Sequence, residues 1–173
     1  MTNALPPEST TSSQPSVAAL VAQLADRLRA NAQCMATAES CTGGLIAGAC
    51  TELSGSSDWF ERGLVTYSNA AKSELLGVDP KLLAEHGAVS EPVARAMAAG
   101  ALKQAPVHWS LAVTGVAGPT GGSAEKPVGT IWFAWAGADG VTSECRHFPG
   151  DRQAVRQATV THALAGLLRR LGV

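Results

Sequence analysis

The sequence has no excess of positive charge and no concentration of it. Thirteen lysines and arginines face fourteen aspartates and glutamates, a formal net charge of −1, interspersed along 173 residues. Without a basic stripe, nucleic-acid binding is excluded as the main activity, and any phosphate must be held by a few local donors. Cysteine is sparse too. Cys34, Cys41, Cys50 and Cys145 form no CxxC pair and no disulfide scaffold, which points to free thiols in a reducing, cytoplasmic setting. Cys145 and His147 are the one close pair of soft ligands, so no metal centre is expected. No uninterrupted apolar run approaches the roughly 18–20 residues of a membrane span. The start, MTNALPPESTTSSQPS, lacks the basic head and apolar core of a secretory signal. Finally, the chain holds one tyrosine, Tyr67, and four lysines, of which Lys72 stands five residues after it.

What is present is a chain that is 46% hydrophobic, of the usual size for one compact domain. Residues 1–15 are rich in Pro, Ser and Thr and read as a disordered tail, leaving a domain over 16–173. VAALVAQLADRLRA, from Val17, puts Val17, Leu20, Val21, Leu24 and Leu28 on one helical face. Residues 33–39 read as a buried strand, and 42–53 as a helix with Gly43 and Gly44 in its first turn. GSSDW (55–59) is turn chemistry before a strand at 64–68. Helices follow over NAAKSELL, PKLLAEH and 91–104, the last with Ser90 as N-cap and Pro92 in its first turn. Strands at 108–115, 130–137 and 141–148 surround a glycine-rich loop and an ADG hairpin, and a helix from about 151 to 171 closes the chain. Strands alternating with helices, plus one late hairpin, predict an α/β fold: a single three-layer α/β/α domain with a mixed sheet.

Three segments carry chemistry. In TAESCTGG (37–44) a strand runs into a helix through Glu39, Ser40, Cys41 and Thr42, placing a hydroxyl at the carboxyl edge of the sheet, where open α/β sheets bind ligands. The free N–H groups at the helix start suit an oxyanion or a phosphate, with Gly43 and Gly44 allowing close approach. The plainer alternative is that Ser40 or Thr42 caps the helix.

A serine needs a base. The four histidines (His86, His108, His147, His162) all fall at element ends or in the last helix, outside any catalytic context. Lys72 can serve if burial brings its amine from near 10.4 to near neutrality, about 4 kcal/mol of destabilised ammonium. Otherwise it is an exposed helical lysine, and Tyr67 a half-buried strand aromatic. Ser57 either hydrogen-bonds within its turn or relays a proton between Lys72 and Ser40.

The third segment, TGVAGPTGG, is spaced Gly115-x-x-Gly118-x-x-Gly121, neither a Walker A box nor GxGxxG, yet its backbone suits an anion. Arg152 opens the last helix beside the Asp151 cap, where the helix dipole disfavours a cation, hinting at an anionic partner. Arg156 is read as facing solvent.

Together TAESCTGG, GSSDWFERGLVTYSNAAKSELLGV, HGAVSEPVA, AVTGVAGPTGG, KPVGTIWFAWA and FPGDR resemble, in order, the CinA C-terminal domain family, the nicotinamide mononucleotide deamidases, in its stand-alone form. The resemblance implies hydrolysis of the nicotinamide carboxamide to nicotinic acid mononucleotide and ammonia in pyridine-nucleotide recycling, without metal or organic cofactor. It puts the nucleophile on Ser40 and the base on Lys72, with Tyr67 and Ser57 in support. Substrate contacts fall on Glu39, Cys41, Thr42, Gly43, Thr114, Gly115, Gly118 and Arg152. Exposed apolar helix faces and the resemblance imply a homodimer. Two rivals remain open: Cys41 as nucleophile with Lys72 and Glu39, and a nucleotide-sensing module without chemistry.

Overall fold

The computed structural model describes residues 15–172, so all but the last residue of the expected tail lies outside the described residues. Helix α1 (Val17–Ala30) precedes strand β1 (Met35–Glu39), helix α2 (Leu45–Thr51), a short 3₁₀ turn (Ser56–Asp58) and strand β2 (Phe60–Val65). Helices α3 (Asn69–Leu76), α4 (Pro80–His86) and α5 (Glu91–Gln104) then lead to β3 (Trp109–Gly115). The hairpin of β4 (Thr130–Gly137) and β5 (Gly140–His147) and the long α6 (Arg152–Arg170) complete the fold. The sheet order is β2-β1-β3-β4-β5. β1 runs parallel to β2 and β3, whereas β4 and β5 pair antiparallel.

The alternation of large and small residues along the strands sets the layers. Leu111, Val113, Ile131, Phe133 and Trp135 face α1 and α6 in one core. Ala38, Ala112, Ala134 and Ala136 face the other way, where α5 lies close against the sheet with Val93, Met97 and Ala101. β1, covered on both faces, is buried at every residue, which is why it reads as a continuous apolar and small run rather than an alternating one.

Two expectations are corrected. The second strand ends at Val65 rather than Ser68 because its partner β1 ends at Glu39, paired with Val65. Tyr67 is therefore off the strand and 60% exposed. Gly43 and Gly44 do not lie in the first turn of α2; they precede it with φ +59° and +98°, Gly44 standing at the N-cap. The left-handed backbone there is what requires glycine.

The topology gathers one edge. The carboxyl ends of β1, β2 and β3 lie together, and β5, parallel to β3 through two antiparallel steps, delivers the start of α6 to the same edge. The chain leaves β1 for β2 on one side and returns to β3 on the other, the switch point at which such sheets bind ligands.

Gly100 tests the closeness of the α5 layer. A Cβ there would overlap the main-chain carbonyl of Leu76 at the end of α3. Gly100→Ala gains about 1 kcal/mol of helix propensity but forces backbone apart at a cost of about 1–3 kcal/mol. Urea denaturation is expected to show a net loss; unchanged or increased stability would mean that α3 does not press on α5.

Candidate active site

Ser40 follows the last residue of β1 and is anchored by its own N–H donating to the Val113 carbonyl at 3.1 Å. Lys72 reaches it from α3, whose start is fixed by Ser68 accepting from Ala71 N–H at 3.0 Å. The Lys72 amine lies 3.0 Å from Ser40 Oγ and 2.8 Å from the Thr66 carbonyl. Lys72 is 1% exposed, and among the described residues no carboxylate lies within ion-pair range of it. Burial lowers its pKa below the usual lysine value of 10.5, only partly opposed by the Cys41 thiol. The geometry also orients the amine. A carbonyl only accepts, so Thr66 O takes one N–H, which leaves the lone pair of a neutral amine free to take the Ser40 hydroxyl proton.

Beneath this pair lies Glu39, fully buried. Its Oε1 accepts from Thr37 Oγ1 (3.2 Å) and Ala47 N (2.8 Å). Its Oε2 accepts from Thr42 Oγ1 (2.7 Å), Gly44 N (3.1 Å) and Ile46 N (3.0 Å). This corrects the sequence reading in two ways. The side chains of Glu39 and Thr42 face inward and hold the turn rather than substrate, and the N–H groups expected to be free at the start of α2 are taken by the Glu39 carboxylate. The Gly43 N–H is occupied as well, closing on the Ser40 carbonyl at 3.0 Å. Among the described residues, the N–H groups of Cys41 and Thr42 are the two of this turn without a protein acceptor.

Cys41 points away from Ser40 into the core shared by α1 and α6. Burial pushes its thiol up to about 12, so the thiolate that a cysteine nucleophile requires is strongly disfavoured. Ser57 is also corrected. It sits exposed in the 3₁₀ turn before β2, whose first residue Phe60 pairs with Met35 at the end of β1 remote from Ser40. Within this chain Ser57 stands in no relay, and Lys72 meets Ser40 directly.

The glycine loop divides by role. Thr114 is buried, its hydroxyl donating to the Ala88 carbonyl at 2.8 Å, and Gly115 is glycine because a Cβ would overlap Ile131 and the Thr130 carbonyl. Gly118, at φ +81°, turns its carbonyl to Arg152 (2.8 Å). The same guanidinium donates to Tyr67 Oη at 3.0 Å, so Tyr67 and Arg152 form one exposed rim. Arg156 does not simply face solvent. Its Nε donates to the Cys41 carbonyl (3.2 Å) and its Nη2 to that of Thr42 (2.8 Å). Arg152 and Arg156 share a wall of a cleft of about 550 Å³ with Leu45, Asp151, Gln153 and Gln157. Neither arginine is ion-paired among the described residues. Sequence reasoning missed Arg156, although its i+4 spacing from Arg152 was a signal; Thr66 acts through its main chain and left none. Among the described residues no group of three or more His, Cys, Asp or Glu is placed to hold a metal ion.

Removing the Glu39 carboxylate is expected to collapse the turn. Glu39→Ala strands the buried N–H of Ile46, the half-buried N–H groups of Gly44 and Ala47 and the buried hydroxyls of Thr37 and Thr42, at about 1–3 kcal/mol for each fully buried group. A loss of at least about 3 kcal/mol is expected in denaturant titration; a change below about 1 kcal/mol would refute the bracing role.

Comparison with known proteins gives this geometry a setting. A family model described as the CinA C-terminal domain matches residues 17–171. The chain is 53% identical over 148 residues to the nicotinamide-nucleotide amidohydrolase PncC of Escherichia coli (strain K12), covering 84% of this chain and 88% of that protein. It is likewise 53% identical over 154 residues to the PncC of Pseudomonas putida, covering 88% and 96%. Among solved structures, the competence/damage inducible protein CihA from Agrobacterium tumefaciens aligns with a TM-score of 0.87 at 43% identity, over 94% of this chain and all of that one. With its fold, its site segments and nearly its whole described length accounted for, the chain belongs to the CinA C-terminal domain family.

Proposed function

We propose that the protein hydrolyses the carboxamide of nicotinamide mononucleotide to nicotinic acid mononucleotide and ammonia, in cytoplasmic pyridine-nucleotide recycling, by a serine nucleophile with a lysine base. The observation that carries this reading is the buried contact of 3.0 Å between Lys72 Nζ and Ser40 Oγ, with no carboxylate among the described residues to hold the amine protonated. The names of the relatives supply the substrate.

The neutral Lys72 amine takes the Ser40 proton as Oγ bonds to the carboxamide carbon, and the carbonyl oxygen becomes an oxyanion facing the N–H groups of Cys41 and Thr42. Collapse breaks the C–N bond while the Lys72 ammonium returns that proton to the departing nitrogen, so ammonia leaves and an ester of Ser40 remains. Water then attacks the ester as Lys72 accepts its proton, and the proton passes to Ser40 Oγ as the acid is released. The 5′-phosphate is met by Arg152, which the Tyr67 hydroxyl and the Gly118 carbonyl hold in place; its guanidinium forms no ion pair among the described residues, although the Asp151 carboxylate lines the same cleft. The homodimer fits the same reading, since the exposed Leu45, Val65, Tyr67 and Leu75 surround the open edge strand β2.

Incubation with nicotinamide mononucleotide is expected to release ammonia, and Ser40→Ala and Lys72→Met are each expected to lower kcat by about a thousandfold or more. Cys41→Ala, which keeps its main-chain N–H, retains turnover. Ammonia release that survives Ser40→Ala but not Cys41→Ala would transfer the nucleophile to the thiol, and no release at all would favour a nucleotide sensor.

The pH dependence follows from the lowered pKa of Lys72. The active form is unprotonated, so kcat/KM rises with pH through a midpoint below the ordinary lysine value of 10.5. Between that midpoint and the unfolded value the unfolded chain binds more protons, so stability also rises with pH; below the midpoint both states are protonated and that stability is absent. Lys72→Met removes the buried amine. It is expected to raise Tm near neutral pH while abolishing turnover, and a lower Tm would show that the amine stabilises the fold.

A further inference from the structure

Arg156 occupies a position that neither a surface cation nor a substrate anchor explains. Its guanidinium fork is spent on two consecutive carbonyls of the turn that carries Ser40, those of Cys41 and Thr42, from a helix more than a hundred residues away in sequence. Each peptide unit is planar and trans, so fixing a carbonyl fixes the N–H of the next residue in the opposite direction. Holding the Cys41 carbonyl therefore aims the Thr42 N–H. Holding the Thr42 carbonyl fixes the peptide whose Gly43 N–H closes on the Ser40 carbonyl, and that closure in turn aims the N–H of Cys41. The two N–H groups left without a protein acceptor are thus the two whose directions Arg156 sets. A full positive charge on the carbonyl side also polarises these peptides and strengthens their N–H groups as donors.

From this we infer that Arg156 is a positioning residue for the reaction: it builds the oxyanion site of Cys41 and Thr42 through their carbonyls and does not itself bind the substrate phosphate. The inference rests on the Ser40–Lys72 reading. It separates the two arginines of the cleft wall, with Arg152 on the rim meeting the anion and Arg156 behind the turn acting only as the oxyanion forms. A brace of this kind acts on the transition state and leaves ground-state binding nearly untouched.

The experiment is steady-state kinetics of Arg156→Met and Arg156→Lys with nicotinamide mononucleotide, beside wild type, Arg152→Met and Ser40→Ala. Losing an oxyanion donor typically costs about a hundredfold or more in kcat. Arg156→Met is expected to lose kcat on that scale while KM stays within about threefold, and Arg152→Met is expected to raise KM instead. Arg156→Lys keeps the charge but lacks the planar fork that spans both carbonyls, so it is expected to share the kcat loss. A further variant, Arg156→Ala, is expected to share the kcat loss, and guanidinium chloride at sub-denaturing concentration should restore part of its kcat and none of that of Ser40→Ala, a rescue that a merely structural role would not give. Should Arg156→Met fail to fold, Arg156→Lys and the rescue carry the test. A raised KM with unchanged kcat in the Arg156 variants would make Arg156 a substrate anchor and overturn the inference. So would wild-type turnover in Arg156→Met while Ser40→Ala is inactive, leaving the serine–lysine reading intact. A wild-type protein that releases no ammonia removes that reading, and the positioning role with it.

Discussion

The site depends on an amine withdrawn from water without a counter-charge. Lys72 is 1% exposed and is held by a carbonyl and a hydroxyl. Burial favours the uncharged form of a lysine, whereas a carboxylate within a few ångströms would favour the charged one and cancel the effect. The fold supplies the first condition by packing α3 across the end of the sheet. It supplies the second by engaging Glu39, which stands next to Ser40 in sequence, entirely with other donors. A proton acceptor is thereby prepared at the cost of local stability, a compromise commonly found at functional sites.

The turn from Ser40 to Gly44 is the second necessity, and it is overdetermined. From below, the Glu39 carboxylate gathers three N–H groups of the start of α2 and two threonine hydroxyls. From α6, Arg156 gathers two carbonyls. The left-handed Gly43 and Gly44 let the chain change direction between these two restraints. A turn tied at so many points has little freedom left to reorganise, and donors fixed before reaction are what make an oxyanion site effective.

Much of this was legible in the sequence, because local patterns and the fold agree. The helical face of Leu20, Val21, Leu24 and Leu28 and the hairpin at 138–140 fall where periodicity and turn residues place them; Ser90 stands at the N-cap of α5, but its hydroxyl donates to the Gly87 carbonyl and caps no N–H. The mixed sheet follows from their order. What failed did so for physical reasons. The strand at β2 was drawn too late because it is an edge strand whose exposed Glu61 and Arg62 hide its period, while Val65, Thr66 and Tyr67 read as the better β segment. Its end is set by the length of β1, which is a tertiary fact. The roles of Ser57 and Glu39 come from the family resemblance, and a resemblance in motif does not say which way a side chain points. Consecutive residues leave β1 in opposite directions, so Ser40 meets Lys72 while Cys41 enters the core. Thr66 contributes a carbonyl, which any residue would carry.

A single rule runs through the charged groups of the site. Each basic side chain is held by neutral dipoles: Lys72 by the Thr66 carbonyl and the Ser40 hydroxyl, Arg152 by the Gly118 carbonyl and the Tyr67 hydroxyl, Arg156 by the carbonyls of Cys41 and Thr42. Glu39, the one buried carboxylate among the described residues, is held by N–H and O–H groups and pairs with no cation among them. Had Glu39 paired with Lys72, the amine would be fixed as ammonium and could accept no proton. Had an acidic residue paired with Arg152 or Arg156, the cleft would lose the field that draws an anion to it. Dipoles fix geometry without neutralising charge. The arrangement therefore sets the ionisable groups of the site in place while leaving the lysine free to stay neutral and the arginines free to stay positive, and the serine chemistry proposed for an anionic amide requires both.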